Sequence, residues 1–304
     1  MRQARIAVLL STHDGAAYLG DQLASLLAQT CQDWTVFWRD DGSVDGTPEI
    51  MAAWMRGAGR GRCSIAGSPG RLGPTPSFMA LLRAASDAEI VAFADQDDVW
   101  LPDKLARGAA ALDAVPAGTP ALYCARQVLV DAALGRIGVS APIRPLGFPA
   151  ALTQNVATGC TVMMNRLAAS LIAGSEPPST SLHDWWSYLA VTAAGGRMIV
   201  DPEPAVLYRQ HPGNLVGAPP SMGRRAVAAL RRGPGVFMHV LREHVAALRA
   251  QPGLVAAPNR AVLERIHRGL AGGPAARLAA LRTPGLRRQT WQETMLFRLW
   301  FLVG

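Results

Sequence analysis

Hydrophobic and polar positions along the first hundred residues form two kinds of block. Continuous apolar runs at residues 6–10 and 89–94 are rich in β-formers, which is typical of strands buried on both faces. Between them, apolar residues recur at helical spacing over residues 18–29 and 78–85. Strands that alternate with helices over short connections predict βαβ units, a mostly parallel sheet and hence an α/β fold.

The same patterns continue through the second half, with longer connections. They predict strands at residues 34–38, 63–66, 121–130 and 157–164, and extended segments at 197–200 and 205–208. One helix is predicted to begin at Thr47, an N-cap candidate followed by Pro48 at the first helical position. Another is predicted to open within residues 181–186 and to end near Gly195 and Gly196.

Beyond Gly217 the composition changes to Ala, Leu and Arg. Apolar side chains in this part recur on one face of a predicted helix, namely Phe237, Val240, Leu241, Val245 and Leu248. We therefore expect two parts: a domain over residues 1–220 that carries the functional site, and an Arg-rich helical extension over residues 221–304.

Polar residues follow three predicted strands where each strand ends. They are Thr12 to Asp14, the pair Asp40 and Asp41, and the cluster Asp95, Asp97 and Asp98. In open α/β sheets, ligands bind beyond these carboxyl ends. Burying an unpaired carboxylate costs free energy, so this cluster is expected to have a positive partner. A divalent cation that also contacts a phosphorylated substrate would supply that charge. The alternatives are an acidic surface turn at residues 95–98, and a tight turn with a helix cap at residues 40–45.

The usual phosphate-binding motifs are missing from the sequence, which contains neither GxGxxG nor GxxxxGK[ST]. A metal would then have to neutralise a diphosphate that a glycine-rich loop otherwise shares. The four cysteines have no CxxC spacing, which fits a reducing compartment and argues against a cysteine metal site.

The net charge of +8 on 304 residues resides in the tail, because residues 224–304 hold 14 arginines and three glutamates. This tail is either a solvated helical face or a docking surface for an anionic membrane. The last predicted helix has an apolar side (Leu296, Leu299, Trp300 and Val303) that Arg298 interrupts. The interleaved basic and aromatic residues of nucleic-acid surfaces are poorly developed, so we expect no nucleic-acid partner.

We find no run of about 18 apolar residues and no signal peptide. We therefore expect a cytoplasmic protein that attaches, if at all, to the periphery of the inner membrane.

Six segments in order make the chain resemble the inverting family-two glycosyltransferases of the GT-A fold, in particular the rhamnosyltransferase branch. They are Ser11-Thr12 with Gly15 and Tyr18-Leu19; Arg39-Asp40-Asp41-Gly42-Ser43 with Asp45 and Thr47; Asp95-Gln96-Asp97-Asp98 with Trp100-Leu101-Pro102 and Lys104; Thr158-Gly159-Cys160; His183-Asp184-Trp185-Trp186; and Tyr208-Arg209-Gln210-His211 with Asn214. One departure is His13-Asp14, where the family usually has a Tyr-Asn-like pair.

The resemblance implies a Rossmann-like sheet with flanking helices and a role for each matching residue. Binding of the donor nucleotide falls to Thr12, Asp14, Asp40, Asp41, Asp95 and Arg209. Asp97, with Asp95 and His211, would hold Mg²⁺ or Mn²⁺. The alternatives for His211 are a contact to the diphosphate and a purely structural role. Asp184 would be the catalytic base, with Gly159, Cys160, Trp185 and Trp186 on the acceptor side.

Structural alternatives accompany several of these roles. Thr47 is expected to be an N-cap, and Ser181-x-x-Asp184 is also a capping-box pattern. The two tryptophans are also plausible core residues, and Arg209 is equally suited to pairing with an acidic neighbour.

The function that we expect is transfer of a sugar, L-rhamnose from dTDP-rhamnose, to a saccharide or lipid-linked acceptor of a surface polysaccharide. A UDP-hexose donor is the nearest rival. A non-catalytic nucleotide-sugar-binding module and a metal-dependent nucleotidyltransferase are alternatives of other classes.

Overall fold

The computed structural model describes residues 4–67, 70–213 and 222–304, with the backbone alone for residues 222–233. Within them, nine strands form one sheet. The strands are β1 (Ile6–Thr12), β2 (Trp34–Asp40), β3 (Cys63–Ile65), β4 (Ile90–Ala94), β5 (Val99–Trp100), β6 (Ala121–Val130), β7 (Arg136–Val139), β8 (Met163–Asn165) and β9 (Arg197–Arg209). The helices are α1 (Leu19–Leu27), α2 (Thr47–Arg56), α3 (Pro74–Ala84), α4 (Lys104–Asp113), α5 (Arg166–Ala173), α6 (His183–Ala193), α7 (Met222–Ala250), α8 (Ala257–Ala271), α9 (Pro274–Leu281) and α10 (Trp291–Val303).

The first half of the sheet is parallel, as the βαβ pattern predicts. Strands β3, β2, β1 and β4 lie side by side in that order. The sheet then becomes mixed, because β8 is antiparallel to both β4 and β6, whereas β9 is parallel to β6. The register pairs Thr12 with Asp40 and Leu10 with Ala94, so the polar residues after β1, β2 and β4 reach one edge.

Successive side chains of a strand point to opposite faces of the sheet, and here both sets are apolar and buried. Ala7 and Leu9 belong to one buried cluster, whereas Ile6, Val8 and Leu10 belong to the other. The C-terminal helices join the first cluster, through Met238, Leu241, Val245 and Leu248 of α7 and Phe297 and Phe301 of α10 among others. The helical extension therefore shares a core with the sheet. The predicted boundary at residue 220, and Asn214 of the last motif, lie outside the described residues.

Two predicted elements differ from the structure. Residues 157–164 were expected to form one strand, but Gly159–Thr161 is a 3₁₀ turn and the strand is confined to Met163–Asn165. The two extended segments after residue 197 belong to a single strand, β9, with bulges near Ala125 and Arg126 of its partner β6. Along the described part of the chain, no helix is both long and apolar enough to cross a bilayer.

Candidate active site

The loops that follow β1 and β2 are joined by hydrogen bonds that their side chains make. The Thr12 hydroxyl donates to Asp40 Oδ1 (2.9 Å), and the Val44 amide donates to the Asp14 carboxylate (2.8 Å). The Gly15 amide donates to the Thr47 hydroxyl (2.8 Å). The predicted donor-binding residues Thr12, Asp14 and Asp40 are therefore neighbours at the carboxyl edge of the sheet.

Asp40 also holds a turn. Its carboxylate accepts hydrogen bonds from the amides of Gly42 and Ser43 (3.1 and 2.8 Å) and from the Ser43 hydroxyl (2.6 Å). This is the tight turn that Asp and Gly favour by themselves. The turn fixes the carboxylate at the edge, and its contact with a nucleotide stays a prediction.

Asp41 differs from its neighbour because it is buried and fully engaged in the protein. It forms an ion pair with Arg39 (2.6 Å) and accepts from the amides of Leu72 and Gly73 and from the Ser77 hydroxyl. These donors lower the pKa of Asp41 although burial opposes them. The predicted donor-binding role is therefore not supported for Asp41, which anchors the loop before α3.

Thr47 is not the N-cap that the sequence suggested. Helix α2 begins at Thr47 itself, with Gly46 at the N-cap position and no side-chain cap. The Thr47 hydroxyl instead contacts the Asp45 carboxylate (2.5 Å) while accepting from Gly15. Thr47 thus links the loops after β1 and β2 at the carboxyl edge of the sheet.

The acidic segment after β4 is fastened to the loop after β1 by Gln96. Its side-chain amide donates to the His13 carbonyl and accepts from the His13 amide, both at 2.8 Å. A Cβ on Gly15 would overlap the Gln96 side chain, so this close approach requires glycine. Gln96 therefore sets the position of the carboxylates on either side of it.

Asp97 and His211 meet as the predicted metal ligands should. His211 Nε2 lies 2.8 Å from Asp97 Oδ2, and the imidazole packs against the Tyr18 ring with centroids 4.6 Å apart. Carboxylate oxygens and an imidazole nitrogen are suitable donors for Mg²⁺ or Mn²⁺. The Asp97 and His211 side chains therefore fit such an ion, and Asp95 precedes Asp97 by two positions.

Asp95 lies beside several other charges. Burial, followed by the negative charges of Asp97 and Asp184, raises the pKa of Asp95 to about 7, while the Lys104 ammonium lowers it. The Gly159 amide donates to Asp184, and the adjoining Cys160 thiol lies within 4.8 Å of Asp95, so the proposed base lies close to the acidic motif. A divalent cation would favour the ionised form of Asp95.

Asp98 and Cys160 form a second group with Asp95, in which one ligand atom of each residue lies within 4.8 Å of the others. Burial raises the pKa of both the Asp98 carboxyl and the Cys160 thiol well above their usual values. Since a metal binds the thiolate rather than the thiol, this group is a poor cation site. Cys160 is fully buried against the acidic cluster, so its predicted acceptor-side role is not supported.

Asp184 lies in the first turn of α6, and its carboxylate accepts from the amides of Gly159 (3.0 Å) and Trp185 (2.6 Å). The capping-box alternative is wrong, because Leu182 occupies the N-cap position and Ser181 does not cap the helix. Burial raises the pKa of Asp184 to about 6, against these hydrogen bonds. A buried carboxylate with a pKa near neutrality has the properties of a general base.

The two tryptophans after Asp184 have different environments. Trp185 is half-buried, and its indole donates to the Ala151 carbonyl (2.8 Å). Trp186 is completely buried in the core and donates to the Ser175 hydroxyl (2.7 Å). An acceptor role therefore remains a prediction for Trp185 and for the backbone of Gly159. It is not supported for Trp186.

Arg209 follows the structural alternative. Its guanidinium is buried, pairs with Asp21 (2.7 Å), donates to the Asp97 carbonyl (2.8 Å) and lies over the Tyr18 ring. The Arg209 amide also donates to Asp98 (3.0 Å). These contacts show that Arg209 holds residues 97 and 98 of the acidic motif in position. The predicted contact with a diphosphate is not supported.

Sequence reasoning missed three buried side chains beside the site. The His183 imidazole stacks on Phe78 (centroids 3.8 Å apart) and packs edge-on against Phe93, which places the start of α6 against the end of β4. The Lys104 ammonium lies over the Trp100 ring. His244 of α7 lies 2.8 Å from the Ser181 hydroxyl. His183 and Lys104 belong to the matching motifs, which could have drawn attention to them. His244 belongs to no motif, so nothing in the sequence indicated its position.

Residues 7–126 match the family model described as Glycosyl transferase family 2, and the chain is a glycosyltransferase. The dTDP-rhamnosyl transferase RfbG of Shigella flexneri is 25% identical over 227 residues, which cover 69% of this chain and 74% of that protein. The glycosyltransferase alr2836 of Nostoc sp. is 36% identical over 104 residues, 34% of this chain but only 31% of its own length.

Solved structures confirm the GT-A fold. The structure of S. aureus TarS 1-349 in complex with UDP-GlcNAc superposes with a TM-score of 0.54 at 16% identity, covering 91% of this chain and 88% of that one. The mannosyltransferase PcManGT from Pyrobaculum calidifontis, in complex with GDP-Man and Mn²⁺, gives a TM-score of 0.53 at 19% identity, with 100% and 87% covered. The expected α/β fold with C-terminal helices and the expected enzyme class are confirmed.

Proposed function

We propose that this glycosyltransferase is inverting and metal-dependent, and that it transfers L-rhamnose from dTDP-rhamnose. The observation that carries the chemistry is the 3₁₀ turn Gly159–Thr161, because the Gly159 amide donates to Asp184 (3.0 Å) while the Cys160 thiol lies within 4.8 Å of the Asp95 carboxylate. This arrangement provides one carboxylate for a proton and a separate acidic pair for the donor. A retaining double displacement would instead need a nucleophile placed against the sugar.

In the proposed reaction, ionised Asp184 takes the proton of the acceptor hydroxyl as that oxygen forms a bond to the anomeric carbon of the donor. The bond from the anomeric carbon to the nucleoside diphosphate breaks in the same step. The amides of Gly159 and Trp185 hold the carboxylate in place. A pKa of about 6 leaves Asp184 mostly ionised near pH 7, yet basic enough to accept a proton.

Asp97 and His211, with Asp95, would hold the divalent ion. A bound ion supplies a positive charge that stabilises the departing diphosphate. The residues after β1 and β2, Thr12, Asp14 and Asp40, would bind the nucleotide, since they border this pair across the Gln96 bridge.

The rhamnosyl donor is supported by the similarity to RfbG over two thirds of the chain. The acceptor would be a saccharide or a lipid-linked saccharide of a surface polysaccharide, glycosylated at the cytoplasmic face of the membrane. Residues 1–220 would form the catalytic domain and residues 221–304 an extension that docks on that membrane.

A donor screen tests this proposal. The purified chain is incubated with dTDP-rhamnose, UDP-glucose, UDP-GlcNAc and GDP-mannose, with Mg²⁺, Mn²⁺ or EDTA, and release of nucleoside diphosphate is measured. We expect release from dTDP-rhamnose in the presence of a divalent ion and little release in EDTA. A preference for a UDP-hexose would replace the donor, whereas release of pyrophosphate would overturn the reaction class.

A further inference from the structure

Helix α10 is apolar on two opposite sides. Phe297, Trp300 and Phe301 are buried in the core. At 100° per residue, a second set lies within a sector of about 120° on the other side, with Gln292 as the one polar residue inside it. This outer set is exposed and consists of Trp291 (72%), Met295, Leu299 (55%), Leu302 and Val303 (66%). A helix that is apolar all round is usually buried all round, so the outer face asks for a partner.

The segment of the chain that carries this outer face is basic. Residues 265–304 contain seven arginines and a single acidic residue, Glu293. The Glu293 carboxylate is engaged in a capping box with Thr290 at the start of α10. Arg298 borders the outer face and is exposed, and Arg277 donates to the Leu302 carbonyl (2.8 Å) at the end of the helix.

This combination of charge and apolar surface decides between possible partners. A second copy docked through the same face would bring two basic surfaces together, which is unfavourable. An anionic bilayer supplies the opposite charge and an apolar interior for the exposed side chains. A tryptophan at one end of the sector is also typical of helices at a membrane interface.

We propose that the outer face of α10 (Trp291, Met295, Leu299, Leu302 and Val303) docks on an anionic lipid surface, with Arg298 facing the headgroups. The helix lies in the interface plane and buries its outer face while its inner face stays in the protein core. This inference names the contact surface for the membrane partner of the proposed function, and it is tested by binding alone, without turnover.

The test is flotation with vesicles of phosphatidylcholine, with and without phosphatidylglycerol, at low and high salt. We expect the full chain to float with the anionic vesicles only, and less at high salt. In the triple variant Trp291→Ser/Leu299→Ser/Val303→Ser, partitioning should fall by about tenfold or more, because each exposed apolar side chain contributes to insertion. The variant should keep wild-type release of nucleoside diphosphate in vesicle-free buffer, so that loss of docking is distinguished from loss of the enzyme.

Matched controls come from exposed residues elsewhere. Ile65, Ile137 and Leu167 are also exposed apolar side chains, and their triple replacement by Ser should leave flotation unchanged. Arg298→Gln should weaken binding more than Arg136→Gln, an exposed arginine on β7. The proposal is overturned if the wild type does not float with anionic vesicles, if the α10 variant floats as well as the wild type, or if the α10 variant abolishes a dimer seen in solution while flotation is absent.

Discussion

Replacing Asp184 with Asn should separate catalysis from stability. Removing a general base slows the reaction by roughly 10²–10⁴-fold. The folded state should suffer little. The new asparagine has one acceptor oxygen where the carboxylate has two, so it loses its contact with Gly159 or with Trp185, at a cost of about 1–3 kcal/mol. In return, the variant no longer buries a carboxylate whose pKa is raised from 3.8 to about 6.

The size of that gain follows from linkage. An acid with a raised pKa in the folded state binds its proton more tightly there, so its contribution to stability is present at low pH. That contribution is lost as the pH rises from the unfolded pKa through the folded one. For a rise of about two pKa units, the wild type should lose about 2–3 kcal/mol relative to Asp184→Asn between pH 4 and pH 7. Comparing the two proteins at each pH cancels the other titrating groups.

Two assays check this prediction. Denaturant unfolding at pH 4 and pH 7 gives the stability difference, and release of nucleoside diphosphate gives the rate. The wild-type rate should also fall by about tenfold from pH 7 to pH 5, as a base with a pKa of about 6 becomes protonated. Asp87→Asn, an exposed carboxylate, is the control for both assays. Activity of Asp184→Asn within a few-fold of wild type would refute the base, and a pH-independent stability difference would refute the effect of burial.

Three further substitutions test residues at the carboxyl edge of the sheet. Asp97→Asn should abolish stimulation by Mg²⁺ or Mn²⁺ while leaving the melting temperature within a few degrees of wild type; undiminished stimulation in a metal titration would remove this ligand. Gly15→Ala should raise KM for the donor more than it lowers kcat, because the new Cβ overlaps Gln96 and shifts the acidic segment; an unchanged KM would contradict that coupling. Asp41→Ala should destabilise the protein by about 3–5 kcal/mol in chemical unfolding, since it leaves buried Arg39 without its carboxylate, and a loss below about 1 kcal/mol would count against the buried pair.

Local patterns were sufficient for the half of the fold that is built from βαβ units. The apolar runs of β1 and β4 predict strands buried on both faces, and parallel strands bring Thr12, Asp40 and Asp95 to one edge. The predicted length of β8 was too great, because Gly159–Thr161 has apolar neighbours in the sequence but forms a 3₁₀ turn.

Roles that depend on contacts between distant segments could not be read from the chain. Arg209 pairs with Asp21, 188 positions away, so the burial of its guanidinium could not be predicted. Asp40 and Asp41 are adjacent residues of the same type, which the sequence alone does not distinguish. Only Asp41 accepts hydrogen bonds from the amides of residues 72 and 73. Trp185 and Trp186 point in different directions from one helix, so a single motif contains both a core residue and one near the site.

The central claim is that one site contains the acidic donor motif and the catalytic base. The most direct measurement is a crystal structure of the chain with Mn²⁺ and dTDP, with the ion located by anomalous scattering. We expect the ion in contact with Asp97 and the diphosphate, and the Asp184 carboxylate facing the same cavity. An ion bound away from Asp97, or a diphosphate in a cavity that Asp184 does not face, would contradict the account.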